Sequence, residues 1–249
     1  MNIEMYEKLD ETESYHWWFK AKREIVLELA NPFLMKSNNI KLADIGCGTG
    51  LMLHELEKYG SATGYDFSDI ALSFCQKKCN AELFKLDLGD SFFSATTTYD
   101  MVFALDIIEH IKNDKVAMDN IFKVVEKNGH AIITTPAFQF LWSQNDINNM
   151  HYRRYSLKEL QNLAEESGFI VEYISYYNFW LFIPIALIRI VTRIFRLDKH
   201  SNIEYGSGKG ILNKLFYRIF VSEKNKISTH KVFPFGVSLI MLVTKEGKK

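Results

Sequence analysis

Charge of one sign is the first thing this sequence lacks. Thirty basic and thirty acidic side chains in 249 residues leave no formal net charge, so no long-range field draws the chain to nucleic acid, and no nucleic-acid partner is expected. Cysteine is scarce as well. Cys47 stands alone, and Cys75 and Cys79 lie one helical turn apart, a spacing that matches no metal-binding motif; reduced thiols in a cytoplasmic protein are expected. The start, MNIEMYEKLDETE, is acidic where an export signal would be basic. The apolar run 173–188 contains Ser175, Asn178 and Pro184 and is shorter than the roughly 20 residues of a spanning helix. Repeats and low-complexity linkers are absent too.

What is present is enough apolar residue for a packed core, 47% of the chain, over a length that suits one α/β domain. Short apolar runs at 41–45, 62–65, 82–86, 99–105 and 130–135 predict strands. Between them, 51–59, 69–79 and 115–126 carry apolar residues at helical spacing. Such alternation predicts a parallel sheet with helices on both faces. After Pro136 the rhythm changes to a polar and aromatic loop, which leads to a helix at 156–166 with Ser156 as N-cap and Glu159 three residues on. A strand at 169–174 follows, then an apolar stretch studded with arginine, then FGVSLIMLVTK as a last buried strand.

The segment ADIGCGTG, residues 43–50, ends the first strand in three glycines spaced one apart. A strand, a glycine turn and a helix form a general cradle for nucleotide cofactors. The dinucleotide pattern wants Gly or Ala where Leu51 stands, and a triphosphate loop would need Lys followed by Ser or Thr, which is missing here. A ligand with a carboxylate, a ribose and an adenine suits the turn better. Asp66, in TGYDFS, ends the second strand with Phe67 beside it and can take ribose hydroxyls. Asp87 and Leu88, in KLDLGD, can meet an adenine, although Asp90 competes with Asp87 for that role. Leu105 ends the fourth strand in FALDIIEH, which closes the far side of the cofactor.

Taken in register, these four strand ends resemble the class I S-adenosylmethionine-dependent methyltransferases, in particular the type 11 branch and its ubiquinone-type O-methyltransferase relatives. The resemblance implies a Rossmann-like, seven-stranded, mostly parallel sheet in the order 3-2-1-4-5-7-6 with an antiparallel seventh strand. It also implies S-adenosyl-L-methionine as cofactor and S-adenosyl-L-homocysteine as product. By the same resemblance Asp44, Gly46, Gly48 and Gly50 form the cofactor turn, with Asp44 orienting it. An N-terminal helical lid, 1–39, would bring Arg23 to the methionine carboxylate. Tyr15, Trp17, Trp18 and Phe19 would either shield the sulfonium and meet substrate or merely anchor that helix. DIIEH is similar to the E-x-x-E-H of the ubiquinone-type enzymes, where a divalent metal is held, so Asp106, Glu109 and His110 are the metal candidates; Asp106 is one carbon short of the usual glutamate, and no metal is expected.

His110, after the fourth strand, and His151, in NNMHYRRY after the fifth, are the candidate bases, since imidazole titrates near neutrality. Trp142, Arg153, Arg154 and Tyr155 lie in the substrate loop 136–156 and suit an anionic or sugar-bearing acceptor, unless the arginines simply pair with Asp146. Between 179 and 220, Arg189, Arg193, Arg196, Lys214 and Arg218 line basic amphipathic helices of an insertion spanning 176–230. These either lie on the inner face of a membrane or pack on the sheet edge. The expectation is one methyltransferase domain over 1–249, with 40–135 as cofactor core, methylating a small or lipid- or sugar-linked molecule at oxygen. N-methylation, a non-catalytic cofactor-binding module and a nicotinamide oxidoreductase are the alternatives. Oligomeric state is not readable.

Overall fold

Met101, Val102, Phe103 and Ala104 are consecutive and fully buried. A strand buried on both faces needs cover on both sides, as predicted. The computed structural model describes residues 3–37, 39–91, 97–195 and 209–247; Arg196 lies outside them. In chain order the elements are α1 (Ile3–Thr12), α2 (Trp17–Leu34), β1 (Ile40–Ile45), α3 (Leu51–Leu56), β2 (Gly60–Asp66), α4 (Asp69–Cys75) and β3 (Glu82–Lys85). They continue with β4 (Tyr99–Leu105), α5 (Asp114–Val124), β5 (Val125–Pro136), α6 (Gln144–Asn148), α7 (Leu157–Glu166) and β6 (Ile170–Tyr177). The insertion then supplies α8 (Phe182–Ile194), α9 (Ile211–Val221) and α10 (Lys224–Ser228) before β7 (Ser238–Thr244).

The sheet has seven strands in the order β3-β2-β1-β4-β5-β7-β6, the order expected. The β1–β5 ladder is parallel, and β7 runs antiparallel between β5 and β6. Pro136, Ser238 and Tyr177 lie in register across the last three strands. Residues just after β6 therefore stand at the same edge as the carboxyl ends of β1, β4 and β5, the edge where open α/β sheets place ligands.

Some boundaries differ from expectation. α3 and α4 stop at Leu56 and Cys75 rather than at 59 and 79. β5 begins at Val125, because its ladder with β4 jumps from Tyr99↔Val125 to Met101↔His130. The residues between bulge through Asn128, at φ +64°, and Gly129. The cap at Ser156 forms as predicted: Ser156 Oγ accepts from the Glu159 N–H, and the Glu159 carboxylate accepts from the Ser156 N–H.

The N-terminal helices are tied down by specific bonds. Lys78, beyond α4, pairs with Asp10 and Glu13 at the end of α1. On α2, the Trp17 N–H donates to Asn213 Oδ1 at 2.8 Å, and Trp18 stacks on Phe220 at 5.2 Å. α9 and α10 of the insertion thus pack on α2 rather than on a sheet edge. The outer side of the insertion does not pack: Leu187, Ile194 and Ile211 are 58%, 68% and 85% exposed. No helix among the described residues is long and apolar enough to cross a membrane.

Candidate active site

The glycine turn is strapped to β2 before any ligand arrives. The N–H groups of Gly46 and Cys47 both donate to the Tyr65 carbonyl, at 2.7 and 2.9 Å. Asp66 Oδ2 accepts from the Gly48 N–H at 3.0 Å, and its Oδ1 from the Ser68 N–H at 2.8 Å. All three glycines have positive φ, yet they serve different ends. A Cβ at Gly48 would meet nothing within 4 Å, so that position faces open space where a ligand can approach the backbone. A Cβ at Gly50 would lie 2.6 Å from Cys75 Sγ. Gly50 is therefore a packing glycine, outside the cavity wall, and Cys47, Cys75 and Cys79 are buried fillers beneath the turn.

A cavity of about 720 Å³ opens over the carboxyl edge of the sheet. Its cofactor side is lined by Gly46, Gly48, Asp66, Phe67, Asp87, Leu88 and Leu105, which sequence reasoning had grouped from four separate strand ends. Carboxylates at Asp66 and Asp87 for polar hydrogens, with Leu88 and Leu105 beside them, fit an adenosine. Of the two candidate aspartates, Asp87 lines the cavity and Asp90 does not. Asp44 is buried behind the turn with its Oδ2 lacking a partner, and burial pushes its carboxyl up to about 7.

Arg23 is a correction. Successive helical residues point about 100° apart, so with Trp18 and Lys22 in the cavity wall, Arg23 turns aside toward the Glu13 carbonyl. Lys22 lines the cavity instead. Its Nζ lies 2.5 Å from Asp106 Oδ2, while Asp106 Oδ1 accepts from Thr134 Oγ1 at 2.9 Å. Burial raises the Asp106 pKa, but the Lys22 ammonium outweighs that and holds the carboxylate below its usual range. A four-residue spacing from Trp18 to Lys22 was the signal that could have found it.

On the opposite wall the two histidines meet. The rings of His110 and His151 stand edge to face at 4.6 Å, and both line the cavity. Burial, then the neighbouring His151, lowers the His110 pKa to about 4, so its imidazole is neutral. His151 Nδ1 is 2.9 Å from Asp146 Oδ1. Asp146 is itself fully buried and gripped by Arg154, whose Nε and Nη2 donate at 2.8 and 2.9 Å. Burial works against the Asp146 charge, yet the bonds from His151 and Arg154 hold its pKa below the normal carboxylate range.

The other substrate-loop residues are corrected by the same geometry. Arg154 reaches the wall, but its guanidinium is engaged by Asp146 and the Ala137 carbonyl, so it positions the loop. The arginine–Asp146 alternative holds for this residue. Arg153 turns to Asp114 and the Lys112 carbonyl. Tyr155 is buried with its hydroxyl on Asp114, and Trp142 lies outside the cavity wall. Trp17 does line it, packed edge-on against Phe216 and Phe220.

A profile of the methyltransferase domain family matches residues 15–174, well over half the chain. The chain belongs to that methyltransferase family. Within it, the ubiquinone biosynthesis O-methyltransferase of Rickettsia bellii is 29% identical over 150 residues, covering 53% of this chain and 60% of the relative. The chain thus matches about three fifths of that protein's length. Among solved structures, phosphoethanolamine N-methyltransferase 2 of Haemonchus contortus, in complex with S-adenosyl-L-methionine, superposes with TM-score 0.57 at 18% identity, over 89% of this chain and 52% of that one. The cyclase SpnF superposes with TM-score 0.58 at 13% identity, over 90% and 81%. These two share the fold, and their different names show that fold alone does not select a reaction. S-adenosylmethionine, as expected, is the cofactor of the class.

Of Asp106, Glu109 and His110, the trio that the resemblance to the ubiquinone-type enzymes implied, Asp106 is instead bonded by Lys22 and Thr134. The closer set among the described residues is Glu109, His110 and His151, whose ligand atoms lie within 4.8 Å of one another. Glu109 is wholly buried, both its oxygens lack a partner, and burial and the Asp106 charge push its pKa well up.

Proposed function

We propose that this chain moves a methyl group from S-adenosylmethionine to an oxygen of a small, lipid-linked molecule, with His151 as the base. The pairing of His151 with Asp146 at the cavity wall carries the reading. An ionised carboxylate can only accept, so Nδ1 donates to Asp146, and in the neutral imidazole the lone pair is then carried by Nε2. Bound cofactor supplies an electrophilic methyl carbon on a sulfonium. The protein's share is to hold the acceptor oxygen and take its proton at His151 Nε2; the methyl would pass to that oxygen as its bond to sulfur breaks, with S-adenosylhomocysteine as the leaving group. Positioning of this kind contributes on the order of 7–11 kcal/mol. Neutral His110 adds no positive charge beside the sulfonium.

Lipid linkage is supported by the wall beyond the histidines, where Leu181, Pro184, Ile185, Ile188 and Phe216 are apolar, and by the name of the Rickettsia relative. The exposed apolar side of α8, with exposed Arg193 in its last turn and exposed Lys214 and Arg218 on α9, would rest on an anionic inner membrane face.

Calorimetry with S-adenosylhomocysteine, followed by methyl transfer from labelled cofactor to 4-octylcatechol and 4-octylaniline, tests the assignment. Expected are cofactor binding and a methoxy product. Transfer to the aniline alone would replace oxygen by nitrogen, and cofactor binding with no transfer would favour the non-catalytic module. A second reading, carried by the orphaned Glu109 carboxyl, has Glu109, His110 and His151 sharing a divalent cation. Turnover abolished by EDTA and restored by magnesium or manganese would establish it.

A further inference from the structure

We infer that Asn178 reads a hydroxyl of the acceptor other than the one that is methylated. This rests on the acceptor class proposed above and assigns a residue to it. Asn178 follows β6 at the carboxyl edge, lines the cavity and is fully buried, yet neither Oδ1 nor Nδ2 has a partner. Leaving a buried amide unpaired costs roughly 1–3 kcal/mol, and folded proteins rarely carry such groups without a use.

The backbone is arranged to keep the amide there. Asn178 has φ +55°, the left-handed region in which asparagine is better tolerated than most residues. Glu223, itself fully buried, clamps the following turn: its Oε1 accepts from the N–H groups of Phe179 at 2.8 Å and Trp180 at 3.2 Å. The cost of the bend and of the unpaired amide is offset only when a ligand completes the bonds.

An amide offers one acceptor and two donors. A hydroxyl, which donates and accepts at once, complements both sides, whereas a methoxy group cannot donate. With the base on the histidine side, the acceptor then needs two oxygen functions and an apolar remainder. Loss of a hydrogen bond that leaves a buried partner unpaired is a strong discriminator.

The test uses the full chain loaded with S-adenosylhomocysteine and two probes, 4-octylcatechol and 4-octylphenol, by calorimetry. Wild type should bind the catechol at least about tenfold more tightly than the phenol. In Asn178→Leu that preference should vanish, with S-adenosylhomocysteine affinity unchanged. Asn178→Gly, which suits the left-handed backbone, should behave alike and covers a folding failure of the leucine variant. A preserved catechol preference in either folded variant overturns the assignment and leaves the methyltransferase reading standing. Cofactor binding without binding of either probe to wild type removes the acceptor class and this assignment together. Loss of cofactor binding in both variants would make Asn178 a structural residue and end the proposal.

Discussion

At the scale of single residues, the site divides into groups that touch a ligand and groups that hold those groups. His151→Ala should lower turnover by roughly 10²–10⁴-fold, the range for a lost general base, with S-adenosylhomocysteine affinity within about twofold in calorimetry. Asp146→Asn should lower turnover similarly but also cost about 3–5 kcal/mol of stability in urea unfolding, because it leaves the Arg154 guanidinium buried without its counter-charge. A stable Asp146→Asn protein with full turnover would refute the pairing. The glycines separate in the same manner. Gly50→Ala forces a methyl to within 2.6 Å of Cys75 Sγ and should cost roughly 1–3 kcal/mol. At Gly48 there is room, so Gly48→Ala should instead weaken S-adenosylhomocysteine binding, with about 1–2 kcal/mol of backbone strain. Both glycines were legible as a turn in the sequence. Which one faces the ligand was not, because that depends on where α4 places Cys75.

At the scale of elements, α8 is the anomaly. A helix packed only on a sheet edge would show one apolar stripe, but Ile183, Leu187, Ile190, Val191 and Ile194 all remain exposed here. Each side chain of this size gains about 1.5–3 kcal/mol when moved out of water. Leu187→Glu combined with Ile194→Glu should therefore reduce cosedimentation with phosphatidylglycerol vesicles by at least about tenfold without shifting the thermal unfolding midpoint. Equal cosedimentation of the variant would remove the membrane reading. The sequence carried the amphipathic pattern and the arginines. It did not reveal that α9 and α10 would pack on α2, nor that Arg189 would be drawn inward to the Leu141 carbonyl. Similarly, the N-terminal helix was legible in WWFKAKREIVLEL, but its rotation about its own axis was not, and so Lys22 rather than Arg23 faces the cavity.

At the scale of the whole molecule, buried ionisable groups set the response to pH. Burial raises Asp44 and Glu223 to about 7, above ordinary carboxylate values of about 4. Their contribution to stability is complete below the unfolded-chain values and is lost as pH rises through about 7. His110, lowered to about 4, acts in the other direction: its contribution is present above the unfolded value of about 6.5 and lost as pH falls through the folded one. Two groups outweigh one, so the urea midpoint should fall between about pH 5 and pH 7.5. Glu223→Gln should flatten that fall, and a midpoint rising steadily to neutrality would contradict the burial of these groups. What the sequence determined by itself was the alternation of strands and helices and the glycine turn and carboxylates at the strand ends, since periodicity and turn chemistry are local; the strand order came with the family resemblance that those strand ends carry. Tertiary structure alone decided the meeting of His110 with His151, the grip of Arg154 on Asp146, the capture of Asp106 by Lys22, and the unpaired amide of Asn178. Each of these depends on the rotation or close approach of elements far apart in the chain, and no local spacing encodes that.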